Sequence, residues 1–208
     1  MSQLVVCQSD DGMVLAADGR AVDFDPDGKL LHLKVDRLVQ LNQWTAILTG
    51  GAAEGVQMSL ALKSFLKEES LTDIQEVYEA ALPFLGTEFE RFMRKRCEVL
   101  PVDPVHHVHF ILAGYTDRDP QRPFRSYLLW TKKKLPQLDG DEISFAYAVP
   151  RIMGLEYTLN RLIREKAPLD RLLSETRSHV EHLAKIQDEV GPPFSYAFIT
   201  ERGFQKII

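Results

Sequence analysis

The order in which apolar patterns change along the chain constrains the fold most. Short strand-like runs come first, at Leu4 to Cys7, Met13 to Ala17, Leu30 to Val35, Leu38 to Leu41 and Thr45 to Thr49. Two helical patterns follow, over Ala52 to Leu66 and from Thr72 toward Cys97, the second interrupted near Pro83 and Gly86. Three more strand runs (Val105 to Tyr115, Phe124 to Thr131, Ile143 to Val149) precede two further helices, Leu155 to Arg164 and Leu169 to Glu189, and a closing strand from Tyr196 to Thr200. A doubly wound parallel sheet would alternate strand and helix. Segregated blocks instead predict an α+β fold, a four-layer αββα sandwich in which two largely antiparallel sheets pack between helix layers. With 45% apolar residues, residues 1 to 208 can bury one core and form a single domain.

The first hairpin turns at Ser9-Asp10-Asp11-Gly12, so strand structure begins almost at the first residue. Further along, Asp25-Pro26-Asp27-Gly28 reads as a turn, Pro101 to Pro104 as a loop and Pro168 as a helix start.

Charge narrows the partners. Thirty acids against 25 bases give a net charge of -5, with no like-charge block longer than Lys132-Lys133-Lys134. Neither nucleic acid nor a membrane surface is expected as the main partner. The two cysteines, Cys7 and Cys97, are far apart and form no metal-type pair; no segment resembles a signal peptide or an apolar membrane span. A reduced, cytoplasmic setting is expected.

Three local signals weaken on inspection. Asp23 to Gly28 fits the first half of a calcium loop, but the twelfth position is Lys34, which cannot supply a bidentate carboxylate. His107 and His109, within His106-His107-Val108-His109, share one strand face without an acidic or cysteine co-ligand, so half-exposed polar positions are expected and no metal. Thr49-Gly50-Gly51-Ala52-Ala53 is a glycine-rich strand-to-helix junction lacking the Lys-Ser/Thr pair of a nucleotide loop. Bare amides at such a junction also suit an oxyanion.

A fourth signal is distributed: Ser2, then Ala16-Ala17-Asp18-Gly19-Arg20, then Lys34 on a strand, then Gly50-Gly51 opening a helix. In order and spacing this set resembles the proteasome-type amino-terminal-nucleophile hydrolases, those like the 20S proteasome β-subunit. Phe110 to Tyr115 is similar to the family's central strand, and Asp188 follows a carboxy-terminal helix as it does there. The likeness spans nearly the whole chain and is strongest over the first fifty-six residues.

The resemblance implies a peptidase and assigns roles. Counting back sixteen positions from Asp18 lands on Ser2, which becomes the nucleophile once Met1 is removed. The Ser2 α-amine serves as base, Lys34 lowers the hydroxyl pKa, Asp18 orients the lysine, and the Gly50 amide, helped by Gly51, receives the oxyanion. Asp188 belongs to the same catalytic set. Ala21, Leu48 and Ala52 shape the pocket for the residue before the scissile bond. Small and apolar, they point to an apolar substrate side chain, although strand alternation puts His32 and Asp36 on the face of Lys34 and could make the pocket partly polar.

The implied substrate is a peptide or unfolded protein, the implied assembly a homo-oligomeric ring or filament, and an ATP-driven unfoldase a further partner. No cofactor or metal is required. Three departures stand out: serine replaces the usual threonine, Ala148 to Met153 lacks the expected Gly-Ser-Gly, and Gly191-Pro192-Pro193 stands where a serine and a Gly-Gly pair are expected. If Met1 is retained, the Ser2 nitrogen is an amide and cannot act as a base. The resemblance then implies an unprocessed, inactive structural homologue.

Overall fold

A computed structural model describes residues 2–24, 30–97, 107–131 and 137–207. The expected turn at Asp25 to Gly28, the expected loop at Pro101 to Pro104, Val105 and His106, and the lysine triplet lie outside the described residues.

Twelve strands and four helices are described. One five-stranded sheet has the order β10-β1-β2-β11-β12, with β1 Leu4–Ser9, β2 Gly12–Ala17, β10 Ala146–Val149, β11 Ser195–Thr200 and β12 Gly203–Ile207. The other has the order β5-β6-β7-β8-β9, built from β5 Leu38–Gln40, β6 Thr45–Gly51, β7 Val108–Tyr115, β8 Phe124–Trp130 and β9 Asp139–Ile143. A separate hairpin pairs β3 (Arg20–Phe24) with β4 (Leu30–Lys34). Every pairing is antiparallel. The helices are α1 Glu54–Glu68, α2 Ile74–Cys97, α3 Met153–Arg164 and α4 Leu169–Ile186. None is long and apolar enough to cross a membrane.

Strand alternation sorts the core into three clusters. Leu4, Leu15 and Ala17 of one sheet meet Ala46, Leu48 and Ile111 of the other. The intervening β6 and β7 residues Ile47, Phe110 and Leu112 pack instead with Leu62 of α1 and Val77, Leu85 and Phe89 of α2. Val5, Val14 and Ala16 likewise pack with Leu155 and Leu159 of α3 and Leu172 and Val180 of α4. Each fully buried leucine contributes about 1.5–3 kcal/mol from burial, so the alternation strongly opposes a one-residue slip.

Four details differ from the sequence expectation. The helix toward Cys97 runs unbroken through Pro83. Its buried positions Val77, Ala81, Leu85, Phe89 and Met93 recur every fourth residue, whereas Pro83 is exposed, so the carbonyl it leaves without a partner lies toward water. Of the run Ile143 to Val149, Ile143 only closes β9, whose other residues were not expected as strand, and Ala146–Val149 form β10 in the other sheet, the two divided where Phe145 adopts a left-handed φ of 65°. Strands β3 and β12 were not expected: both carry charged or polar residues, and their partners, not their own periodicity, make them strands.

Candidate active site

The start of β1, the end of β2, the end of β6 and the start of β7 meet at one end of the two large sheets, because Leu4 pairs with Ala17 and Gly51 with Val108. Ser2 sits there, 3% exposed. The Gly51 amide donates to Ser2 Oγ over 2.8 Å. Asp18, the first residue beyond β2, is fully buried: its Oδ1 accepts the Gln3 N–H at 2.7 Å, and its Oδ2 accepts those of Arg20 and Gly191, each at 3.2 Å. The amide of Asp18 returns a bond to the Gln3 carbonyl at 3.1 Å. The carboxylate therefore locks the main chain beside Ser2 to the end of its neighbouring strand and to the segment after α4.

The buried cation near this carboxylate is Arg37. Lys34 ends β4 in the hairpin outside both large sheets, and its residue is exposed. Arg37, immediately before β5, is 2% exposed. Its Nη1 donates to the carbonyls of Thr49 and Gly51, at 3.3 and 3.2 Å, and its Nη2 to the Arg20 carbonyl at 3.2 Å. The guanidinium thus grips both sides of Gly50 and acts through space on Asp18. Burial pushes the Asp18 carboxyl up, against the opposing pull of the Gln3 N–H, the Arg37 charge and the Gly191 and Arg20 amides. Burial pushes Arg37 down, against the pull of Asp18. Each charge compensates the other in a place where either alone would be costly.

Gly51 has φ +88°, a conformation that favours glycine, and a Cβ there would lie 1.9 Å from the His107 carbonyl oxygen. That conformation lets the chain leave β6 with its N–H aimed at Ser2. Gly50 pairs directly with His109, and a Cβ on Gly50 would lie 2.0 Å from His109 Nε2. Burial pushes the His109 imidazole down to about 4, with help from the charge of Arg37 and from His107.

A pH dependence of stability follows from His109. Its folded-state value, about 4, lies below the ordinary 6.5, so between these limits the unfolded chain binds a proton that the folded protein does not. The contribution of His109 to stability therefore falls as pH falls from about 6.5 to about 4, by about 3 kcal/mol at ~1.4 kcal/mol per pH unit. Urea unfolding at pH 7 and pH 4 should show this as a difference, His109→Gln losing about 3 kcal/mol less than the parent over the same interval.

The remaining expected residues are distributed as follows. Ala21 is 4% exposed on β3 and Ala52 half-buried just after β6. Leu48 is fully buried between the two sheets, where it supports the site from beneath. Asp188 is exposed, and its main-chain carbonyl accepts Arg20 Nη1 at 2.5 Å. Asp36 is held by Lys206 Nζ at 2.6 Å and Ser195 Oγ at 2.9 Å. Sequence reasoning missed Arg37 and the packing of His109 against Gly50. The one available signal was a carboxylate at a strand end, Ala16-Ala17-Asp18, which calls for a cation without saying which.

No protein-family model matches the chain, and no curated protein matches it. Among solved structures, the chain is similar to Anbu (ancestral beta-subunit) from Yersinia bercovieri, with a TM-score of 0.70 at 14% identity over 99% of this chain and 86% of that one. At that identity the likeness shows the fold, which is proteasome-like. It also corrects the expected placement among families similar to the 20S proteasome β-subunit, since the neighbour belongs to a distinct family. The residues used for that placement, Asp18, Lys34 and Gly50-Gly51, sit at strand ends, positions that the fold itself constrains.

Proposed function

We propose that the chain is a peptidase on a proteasome-like fold, with Ser2 as amino-terminal nucleophile. The observation that carries this reading is the Gly51 N–H on Ser2 Oγ, with the buried Asp18 and Arg37 behind it. With Ser2 as first residue, its α-amine, of ordinary pKa about 7.7–8.0, removes the hydroxyl proton. Oγ then bonds to the substrate carbonyl carbon, and the charge that develops on the carbonyl oxygen receives the Gly51 N–H. The ammonium returns its proton to the leaving nitrogen as the C–N bond breaks, and water hydrolyses the resulting ester with the amine again as base.

Arg37 supplies the positive potential in this scheme. A guanidinium stays protonated, so it favours the alkoxide and the oxyanion without relaying a proton. The amine is therefore the sole base of the scheme, and Lys34, on the exposed hairpin, stands outside it. The small Ala21 and half-buried Ala52 suit an apolar substrate side chain. The three apolar clusters support a four-layer αββα sandwich acting as one domain. A homo-oligomeric ring enclosing the sites, fed with peptide or unfolded protein, with or without an ATP-driven unfoldase, completes the reading.

A second reading, an unprocessed structural homologue, is favoured by one observation: Ala148 to Met153 and Gly191 bring no hydroxyl to support the amine. A hydroxyl-directed covalent peptidase inhibitor separates the two. Protein with Ser2 as first residue should gain one adduct by mass spectrometry, and the adduct should vanish in Ser2→Ala. No adduct on a free Ser2 terminus would favour the scaffold.

A further inference from the structure

Three observations converge on His109. It lies directly opposite Gly50, and its ring occupies the space a Cβ on Gly50 would need, with Nε2 2.0 Å from that position. Its face is fixed by alternation: Val108 and Phe110 join the cluster with α1 and α2, while Ile111 joins the cluster between the sheets. His109 therefore points between the sheets, toward the end where Ser2 lies. Its Nε2 is buried without a hydrogen-bond partner, so that end of the ring is held by packing.

Arg37 grips the carbonyls of Thr49 and Gly51, on either side of Gly50. Gly50 itself has no side chain with which to anchor its own Cα. We propose that His109 is a positioning residue, its imidazole serving as the missing packing group of Gly50 and so holding the Gly51 N–H on Ser2 Oγ. The catalytic importance of that placement rests on the peptidase reading, but the placement itself does not. Because φ at Gly50 is not left-handed, the nearest obstacle to a side chain there is the ring across from it. A residue pair that shares one volume should tolerate an exchange of that volume.

The test is a size swap read at the Gly51 amide in the folded, isotope-labelled full chain. Ser2→Ala first calibrates how far the Gly51 N–H cross-peak moves when its acceptor is removed. His109→Ala should move the peak at least half of that way, and His109→Ala with Gly50→Ala should return it to within a fifth of the parent position. On protein with a free Ser2 amine, His109→Ala should lower kcat about tenfold with KM changed less than twofold, and the double variant should recover most of that loss. A Gly51 peak unmoved by His109→Ala, or not returned by the swap, overturns the proposal whether or not the protein is active. Absence of turnover in the parent, with the peaks behaving as stated, counts against the peptidase reading alone.

Discussion

Arg37→Met should destabilise the protein by about 3–5 kcal/mol, because three carbonyls lose a charged donor at about 1–3 kcal/mol each and the buried Asp18 loses the charge that acts on it through space. The substitution keeps apolar bulk but leaves the fully buried Asp18 carboxylate without its opposing charge. It also removes the donors to the Thr49, Gly51 and Arg20 carbonyls. Arg37→Lys should recover part of the charge compensation but not the three carbonyl contacts, since an ammonium cannot reproduce the planar fork. Lys34→Ala, in contrast, should change stability by less than about 0.5 kcal/mol, as expected for an exposed position. Urea denaturation of the three variants separates the two cations. A large loss for Lys34→Ala with little for Arg37→Met would show that the wrong one has been placed beside Asp18.

Ser2→Ala should reduce kcat by a factor on the order of 10⁴–10⁶, as loss of a catalytic nucleophile does. The fold should survive. Oγ accepts the Gly51 N–H, and leaving that donor unpaired costs about 1–3 kcal/mol. Ser2→Thr preserves the hydroxyl and should retain measurable turnover. Peptide hydrolysis assayed with both variants at matched folded concentration checks this, and equal activity in Ser2→Ala would remove Ser2 from the chemistry.

How much of this was legible beforehand depends on the element. The block order of strands and helices reflects local periodicity, which each segment carries in itself, so the α+β architecture and most helices could be read directly. Ser2, Asp18 and the glycine pair were legible because they sit at strand ends, next to apolar runs that locate those ends. The cation was not. Lys34 closes the hairpin strand β4 and Leu38 opens β5 in a large sheet, so the chain changes sheets between them. The alternation that assigns faces cannot be carried across that break, and Arg37 falls inside it. His109 was visible as a strand residue, but its meaning comes from the strand opposite, where Gly50 leaves the space. The division of Ile143 to Val149 turns on a left-handed phenylalanine, which no glycine or asparagine announces. Placement among families failed for a related reason: the residues used for it sit at strand ends, positions that the fold itself constrains.

The central claim is that the amine of Ser2 itself is the base, and hydrolysis by two preparations of one protein tests it most directly. One preparation has Ser2 as its first residue, verified by intact mass; the other retains Met1, whose peptide bond turns the Ser2 nitrogen into an amide. The expected result is peptide turnover by the first and, in the second, a rate lower by a factor on the order of 10³ or more, consistent with loss of a general base. Equal turnover by both, or turnover by neither, would contradict it.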